Sequence, residues 1–291
     1  MRPLNTILVA LACLLVLGLG PRQVAGEPLV VGLIPAENNE EMIRQFEPMR
    51  VYLAAKLDTD VKVYTATDYA GVIEAMRRKR VDVAWYGPMS YYLAELEAGA
   101  EAFAVGVRAK TGRSSYRGIF VVATDSPFRT LADLAGKSVA FVDPASTSGG
   151  LVPTYITRKA TGKAPEAFFG KLVYAGSHDA ALLAVKNGTV DAAASNDITY
   201  ERMLNVGLLD DATTRVLTFS DDLPGAPLTY RGDLDPDLKA RIQEVFVTAH
   251  HEIEVTGYGS LIRYDAVGPG DFQIIRDMVR ELGLKKERIL H

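Results

Sequence analysis

The chain has 291 residues, 48% of them hydrophobic and 23% charged, a globular composition that excludes a coiled coil, a collagen or a long disordered tract. At about 100–200 residues per domain, two domains are expected. Lys and Arg number 32 against 36 acidic residues, a formal charge of −4 that argues against a nucleic-acid partner, and the single cysteine excludes a disulfide framework or a cysteine-type zinc site.

The chain opens with Arg2, an almost unbroken apolar run from Ile7 to Leu19, and a small-residue end, Val24-Ala25-Gly26. This is the layout of a secretory signal peptide over residues 1–26, cleaved after Gly26. A membrane anchor is the alternative, but the run is short against the roughly 20 apolar residues a bilayer needs. Cys13 lies inside the run with Ala10 three positions before it, which argues against lipid attachment. Cleavage removes the only cysteine and two arginines, leaving 30 basic against 36 acidic residues, a formal charge of −6. The exported protein then has neither a thiol nucleophile nor a soft-metal site. It is expected in the periplasm.

Beyond the leader, Pro28–Ile34 reads as a buried strand and Glu40–Leu57 as a helix with Ile43, Phe46, Met49, Leu53 and Leu57 on one face. Strands follow at Val61–Tyr64 and Val81–Trp85, with a helix at Ala70–Arg80 between them. Val105–Ala109 and Gly118–Ala123 read as strands joined by a polar stretch. Then come a short helix at Leu131–Ala135, a strand at Ser138–Val142, a helix at Leu151–Thr161 and a strand at Leu172–Tyr174. A helix at Asp179–Asn187 precedes strands at Val190–Ala194 and Arg215–Phe219, and the chain ends with helices at Leu234–Ile253 and Phe272–Leu282. Such alternation predicts an α/β protein with mostly parallel sheets flanked by helices.

One unit recurs. Tyr69–Pro88 aligns without gaps on His178–Asp197, with Ala75/Ala184, Val81/Val190, Asp82/Asp191 and Ala84/Ala193 identical. Each copy reads as a helix opened by a polar ring (Tyr69 or His178), a basic helix end, Val-Asp and a strand followed by a polar loop. Ligands of parallel sheets bind at strand carboxyl ends beside helix N-termini, so both copies would aim these rings into one interlobe cleft.

The segment Ser138–Thr154 is the richest in chemistry. A strand runs into Asp143-Pro144, then Ser146-Thr147-Ser148-Gly149-Gly150, then a helix. Hydroxyls and free N–H groups at a helix start can donate several hydrogen bonds to one tetrahedral oxyanion. Bonds to a charged acceptor are worth roughly 1.5–3 kcal/mol each. Gly149 and Gly150 would let the backbone approach closely. A plain Ser/Thr cap is the simpler alternative. The segment has no lysine for a nucleotide-hydrolase phosphate loop and no Gly-x-Ser elbow of a serine hydrolase. Taken alone, His178 could be a surface histidine, Tyr69 and Tyr116 packing aromatics, and Arg77-Arg78-Lys79-Arg80 a solvated helix end.

The segments GLIPAENNEE, DYAGVIEAMRRKRVDVAWYGPMSY, SVAFVDPASTSGGLVPTY, AGSHDAALLAVKNGTVDAAASND and LPGAPLTYR together resemble the phosphonate-, phosphite- and phosphate-binding components of ABC importers, in order over nearly all of the mature chain. The resemblance implies a type II two-lobed periplasmic binding protein without catalysis or cofactor. Its lobes would be residues 27–115 with 222–291 and residues 116–221, joined by two crossover strands. The implied ligand cage is Tyr69, Tyr116, Ser146, Thr147, Ser148 and His178; Tyr116 rests on the resemblance alone. The implied partners are a small phosphorus oxyanion and an inner-membrane permease, with the protein a monomer.

Aminoethylphosphonate binders of this family hold the ligand's ammonium on acids; the matching positions fall at or beside Ile198 and at Ala226, neither acidic. Asp197, the nearest acid, is expected to accept a hydrogen bond from a protonated ligand oxygen and so to reject sulfate. His178 is expected to donate a proton or carry a charge. The expected ligand is phosphite, phosphate or methylphosphonate. The alternatives are a sensor subunit for a histidine kinase, an arsenic-oxyanion binder, which the absence of cysteine disfavours, and a hydrolase, for which no metal cluster or nucleophile–base pair is evident.

Overall fold

The computed structural model describes residues 27–290, so the expected signal peptide and Cys13 lie outside the described residues. The β-branched and alanine-rich runs form two sheets. The chain lays down β1 (Leu29–Leu33), β2 (Val61–Thr65), β3 (Val83–Trp85) and β4 (Ala100–Arg108). It then crosses to build β5 (Tyr116–Ala123), β6 (Ser138–Phe141), β7 (Lys171–Tyr174), β8 (Ala192–Asn196) and β9 (Thr214–Leu223). It returns for β10 (Pro227–Arg231) and β11 (Leu261–Ala266). The strand orders are β11-β4-β10-β3-β1-β2 and β7-β6-β8-β5-β9.

The two-lobed α/β architecture agrees with expectation, but each sheet is mixed rather than mostly parallel. Only β1–β2, β1–β3, β6–β7 and β6–β8 pair in parallel. The strands next to the crossings, β4, β5, β9 and β10, pair antiparallel, as do β5 with β8 and β11 with β4. A strand that enters a sheet from the other lobe has no helical crossover to turn it parallel, so it pairs antiparallel.

Helices α1 (Asn39–Leu57), α2 (Tyr69–Arg77), α3 (Pro88–Ala98), α4 (Val152–Thr161), α5 (Pro165–Phe168), α6 (His178–Lys186), α7 (Asp197–Asn205), α8 (Pro236–Thr248) and α9 (Gln273–Leu282) cover the sheets. Helix α1 buries Phe46, Met49, Leu53 and Leu57 as its period predicts, whereas Ile43 is exposed. Helix α8 stops at Thr248, and His250-His251 sit in a 3-10 turn beyond it, not within the long helix expected there. Helices α3 and α7 and strands β10 and β11 have no counterpart in the sequence reading. Helix α3 begins at Pro88, whose fixed φ suits a first helical position, and ends at Gly99 with φ 63°. Among the described residues no helix is long and apolar enough to cross a membrane.

The internal repeat is structural, and it extends beyond the aligned residues. Tyr69 and His178 are each the first residue of a helix, capped by the side chains of Asp68 and Ser177. Lys79 and Gly188, the same position in each copy, both take positive φ, at 58° and 67°. The Asp82 and Asp191 carboxylates each accept a backbone N–H from the adjoining strand, that of Val30 at 2.9 Å and of Ser138 at 2.8 Å. Each copy then turns through an N-cap, Gly87 or Asn196, into the next helix, α3 or α7.

Candidate ligand-binding cleft

A cavity of about 80 Å³ lies between the lobes, and Tyr69, Tyr116, Ser146, Thr147, Ser148 and His178 all line it. Each is at most 8% exposed. Asn196 joins them, as do apolar residues that include Phe46, Trp85, Ile198, Ala226, Leu228 and Leu261.

The hydroxyl segment sits in a π-helical turn, Thr147–Leu151, that leads into α4. Ser146 caps it by accepting the Gly149 N–H at 3.1 Å. The first N–H groups of any helix lack helical carbonyls, so those of Thr147 and Ser148 stay available. Thr147 Oγ1 accepts the Met89 N–H of the opposite lobe at 2.8 Å, which leaves the Thr147 hydroxyl proton free to donate elsewhere. The two glycines serve a different end from the expected one. A Cβ on Gly149 would stand 2.3 Å from Val142, and one on Gly150 2.4 Å from the Asp143 carbonyl oxygen. They let the turn pack under the end of β6.

Burial drives the Tyr69 and Tyr116 hydroxyls well above their usual range, so both remain neutral donors. Ser146 lies beside the first, and Thr147 and Ser148 beside the second, so the hydroxyls form one cluster. Burial depresses the His178 imidazole to about 3. At neutral pH it therefore carries no charge, contrary to one of the roles expected of it. Its Nδ1 lies 3.0 Å from the hydroxyl of buried Ser195. That hydroxyl has no other partner among the described residues; by donating to Nδ1 it would leave the proton on Nε2. In that tautomer the neutral imidazole is a donor in the cavity.

Asp197 requires correction. It does not line the cavity. Its carboxylate accepts from Arg108 Nη1 at 3.1 Å and from the Arg117 N–H at 3.1 Å. As the first residue of α7 it is engaged by Arg108 of the opposite lobe, while its neighbour Asn196, the N-cap, lines the cavity. The rejection of sulfate expected from Asp197 has no basis in this geometry. Arg108, which the sequence reading missed, does line the cavity, but Asp197 and Glu201 both pair with it.

Several further contacts tie the lobes across the cleft. His178 N–H donates to the Ala36 carbonyl at 2.9 Å, and Arg202 of α7, which also pairs with Asp179 of its own lobe, reaches buried Glu37 at 2.7 Å. Desolvation raises the Glu37 carboxyl to about 7 despite the opposing pull of Arg202. Tyr258, from the loop before β11, packs its ring on Trp85 with centroids 4.8 Å apart and bonds Asn196 and Thr199 through its hydroxyl. Among the described residues no group of three or more His, Cys, Asp or Glu is arranged to hold a metal ion.

A family profile described as "ABC transporter, phosphonate, periplasmic substrate-binding protein" matches residues 31–271. The chain belongs to this family. It is 32% identical over 268 residues to the phosphonates-binding periplasmic protein of Escherichia coli, covering 88% of this chain and 76% of that one. It is 31% identical over 229 residues to the phosphate-import protein PhnD of Mycolicibacterium smegmatis, covering 76% and 71%. A solved binding-protein component of an ABC phosphonate transporter from Pseudomonas aeruginosa superposes with a TM-score of 0.78 at 28% identity, covering 90% and 87%. Family membership makes this an ABC-transporter substrate-binding protein, and its family is periplasmic.

Proposed function

We propose that the chain captures a small phosphorus oxyanion without an amine, namely methylphosphonate, phosphite or phosphate, and presents it to an inner-membrane permease. Residues 1–26 act as its export signal. The lobes, residues 27–115 with 222–291 and residues 116–221, clamp the ligand between them. The observation that carries the reading is the meeting of six neutral donors, Tyr69, Tyr116, Ser146, Thr147, Ser148 and His178, in one small interlobe cavity. Neutral donors stabilise an anion without a buried countercharge, whose desolvation would cost several kcal/mol.

The rest of the wall selects the substituent on phosphorus. Ile198 and Ala226 face the cavity where relatives that hold an ammonium would need acids. An ammonium buried there would be unpaired, at a cost of several kcal/mol. Calorimetry on the mature protein tests this. Methylphosphonate, phosphite or phosphate should bind at one site per chain, and 2-aminoethylphosphonate at least tenfold more weakly than the best of them. Ser146→Ala and Thr147→Ala should each weaken binding by about 1 kcal/mol or more. Equal affinity for the amine-bearing compound would refute the reading.

A further inference from the structure

The cleft holds a second cavity, of about 450 Å³, outside the first. Gln45, Arg108, Ile198, Gly257 and Leu261 line both, so they form the partition between the two. Residues 256, 257, 259 and 260 line the outer cavity, while Tyr258, in the middle of the same loop, lines only the inner one. Gly259 takes φ 78°, a conformation that favours glycine, and a Cβ there would meet Ile198 of the opposite lobe at 3.0 Å. The loop is therefore pressed against the far wall, with its one aromatic side chain turned inward.

Resting on the phosphorus-oxyanion reading above, we propose that Tyr258 is the size gate of the site: its ring fills the inner side of the loop that runs between the two cavities and so sets the largest substituent a bound phosphonate can carry. The hydroxyl holds the ring in place, spanning the cleft to Asn196 and Thr199, and Trp85 supports it from behind. Asn196 is itself fixed, because its Oδ1 also accepts the Thr199 N–H at 2.8 Å. The ligand class this favours is a phosphonate with a hydrogen or a compact apolar group on phosphorus. Without the ring the inner cavity widens, and a propyl or phenyl group gains room.

The test compares wild type, Tyr258→Phe and Tyr258→Ala by calorimetry with methyl-, propyl- and phenylphosphonate, after thermal melts establish that each variant folds. Both variants lose the hydroxyl, so any weakening they share reports the lost tie across the cleft; what separates them reports the ring. The expected result is a ratio of phenyl- to methylphosphonate affinity that is unchanged in Tyr258→Phe and raised at least tenfold in Tyr258→Ala. The same ratio in all three proteins would overturn the gate. Wild type that binds no phosphorus oxyanion would instead overturn the ligand class, and the gate with it. Should Tyr258→Ala fail to fold, Tyr258→Leu replaces it: an intermediate rise in the ratio supports the gate, and an unchanged ratio overturns it.

Discussion

The Ser195 hydroxyl, buried and 3.0 Å from His178 Nδ1, decides which way the imidazole can act. Where Nδ1 accepts the Ser195 proton, Nε2 carries the imidazole's own proton and is the donor. Ser195→Ala should therefore weaken oxyanion binding by about 1 kcal/mol, and leaving Nδ1 unpaired in a buried site should lower the ligand-free melting temperature by a few degrees, as calorimetry and a thermal melt would show. Equal affinity in the variant would mean that the imidazole needs no such partner. Ser195 was not legible in the sequence, because its partner lies 17 residues away on another element. His178 and Tyr69 were legible, since each opens a helix at matching places in a repeat. Asp197 was misread for a related reason: residue type and distance along the chain cannot tell which of two adjacent side chains at a helix start faces the cleft. Arg108 claims the acid, and Asn196 takes the place expected for it.

At the scale of elements, the turn after β6 carries the clearest steric demand. Gly150→Ala would drive a methyl group to 2.4 Å from a backbone oxygen, so the turn and the hydroxyls mounted on it must shift. We expect a loss of about 2 kcal/mol or more in stability together with weakened binding. Gly270→Ala, where nothing lies within 4 Å, is the control and should melt like wild type. Helices and strands with a clean period were read within a few residues of their true bounds, α1 and α9 among them. The omissions have physical causes. Pro88 reads as a breaker unless its place at a helix start is known, and the polar start of α7, Asp197-Ile198-Thr199, hides a helix whose buried face is only Thr199, Tyr200 and Met203. Strands β10 and β11 are short and mixed in character, and their partners lie far away in sequence.

For the molecule as a whole, the pairing of Glu37 with Arg202 ties the lobes through a buried carboxyl. The Glu37 carboxyl stands at about 7 when folded, against an ordinary 4.5, chiefly because it is desolvated. Between those values the folded protein keeps a proton that the unfolded chain has released. Its stabilising contribution is therefore full below about pH 4.5 and is lost as the pH rises through about 7. Glu37→Gln mimics the protonated form. It should melt with wild type near pH 4.5 and a few degrees above it beyond pH 7, as melts across that range would show. His178 acts in the opposite sense. Its folded value of about 3 against an ordinary 6.5 means that stability falls as the pH drops below about 6.5, because the unfolded chain takes up a proton that the folded one refuses. Parallel curves for wild type and Glu37→Gln would place the Glu37 proton equilibrium elsewhere.

The two passages between the sheets touch one another: a Cβ on Gly225 would stand 2.5 Å from the Ser114 carbonyl oxygen. Ser114 and the neighbouring Ala226 also line the inner cavity. The connecting segments are thus not remote straps but the floor on which a captured solute would rest. Swinging the halves apart would have to flex that floor, where Gly225 packs on the Ser114 carbonyl.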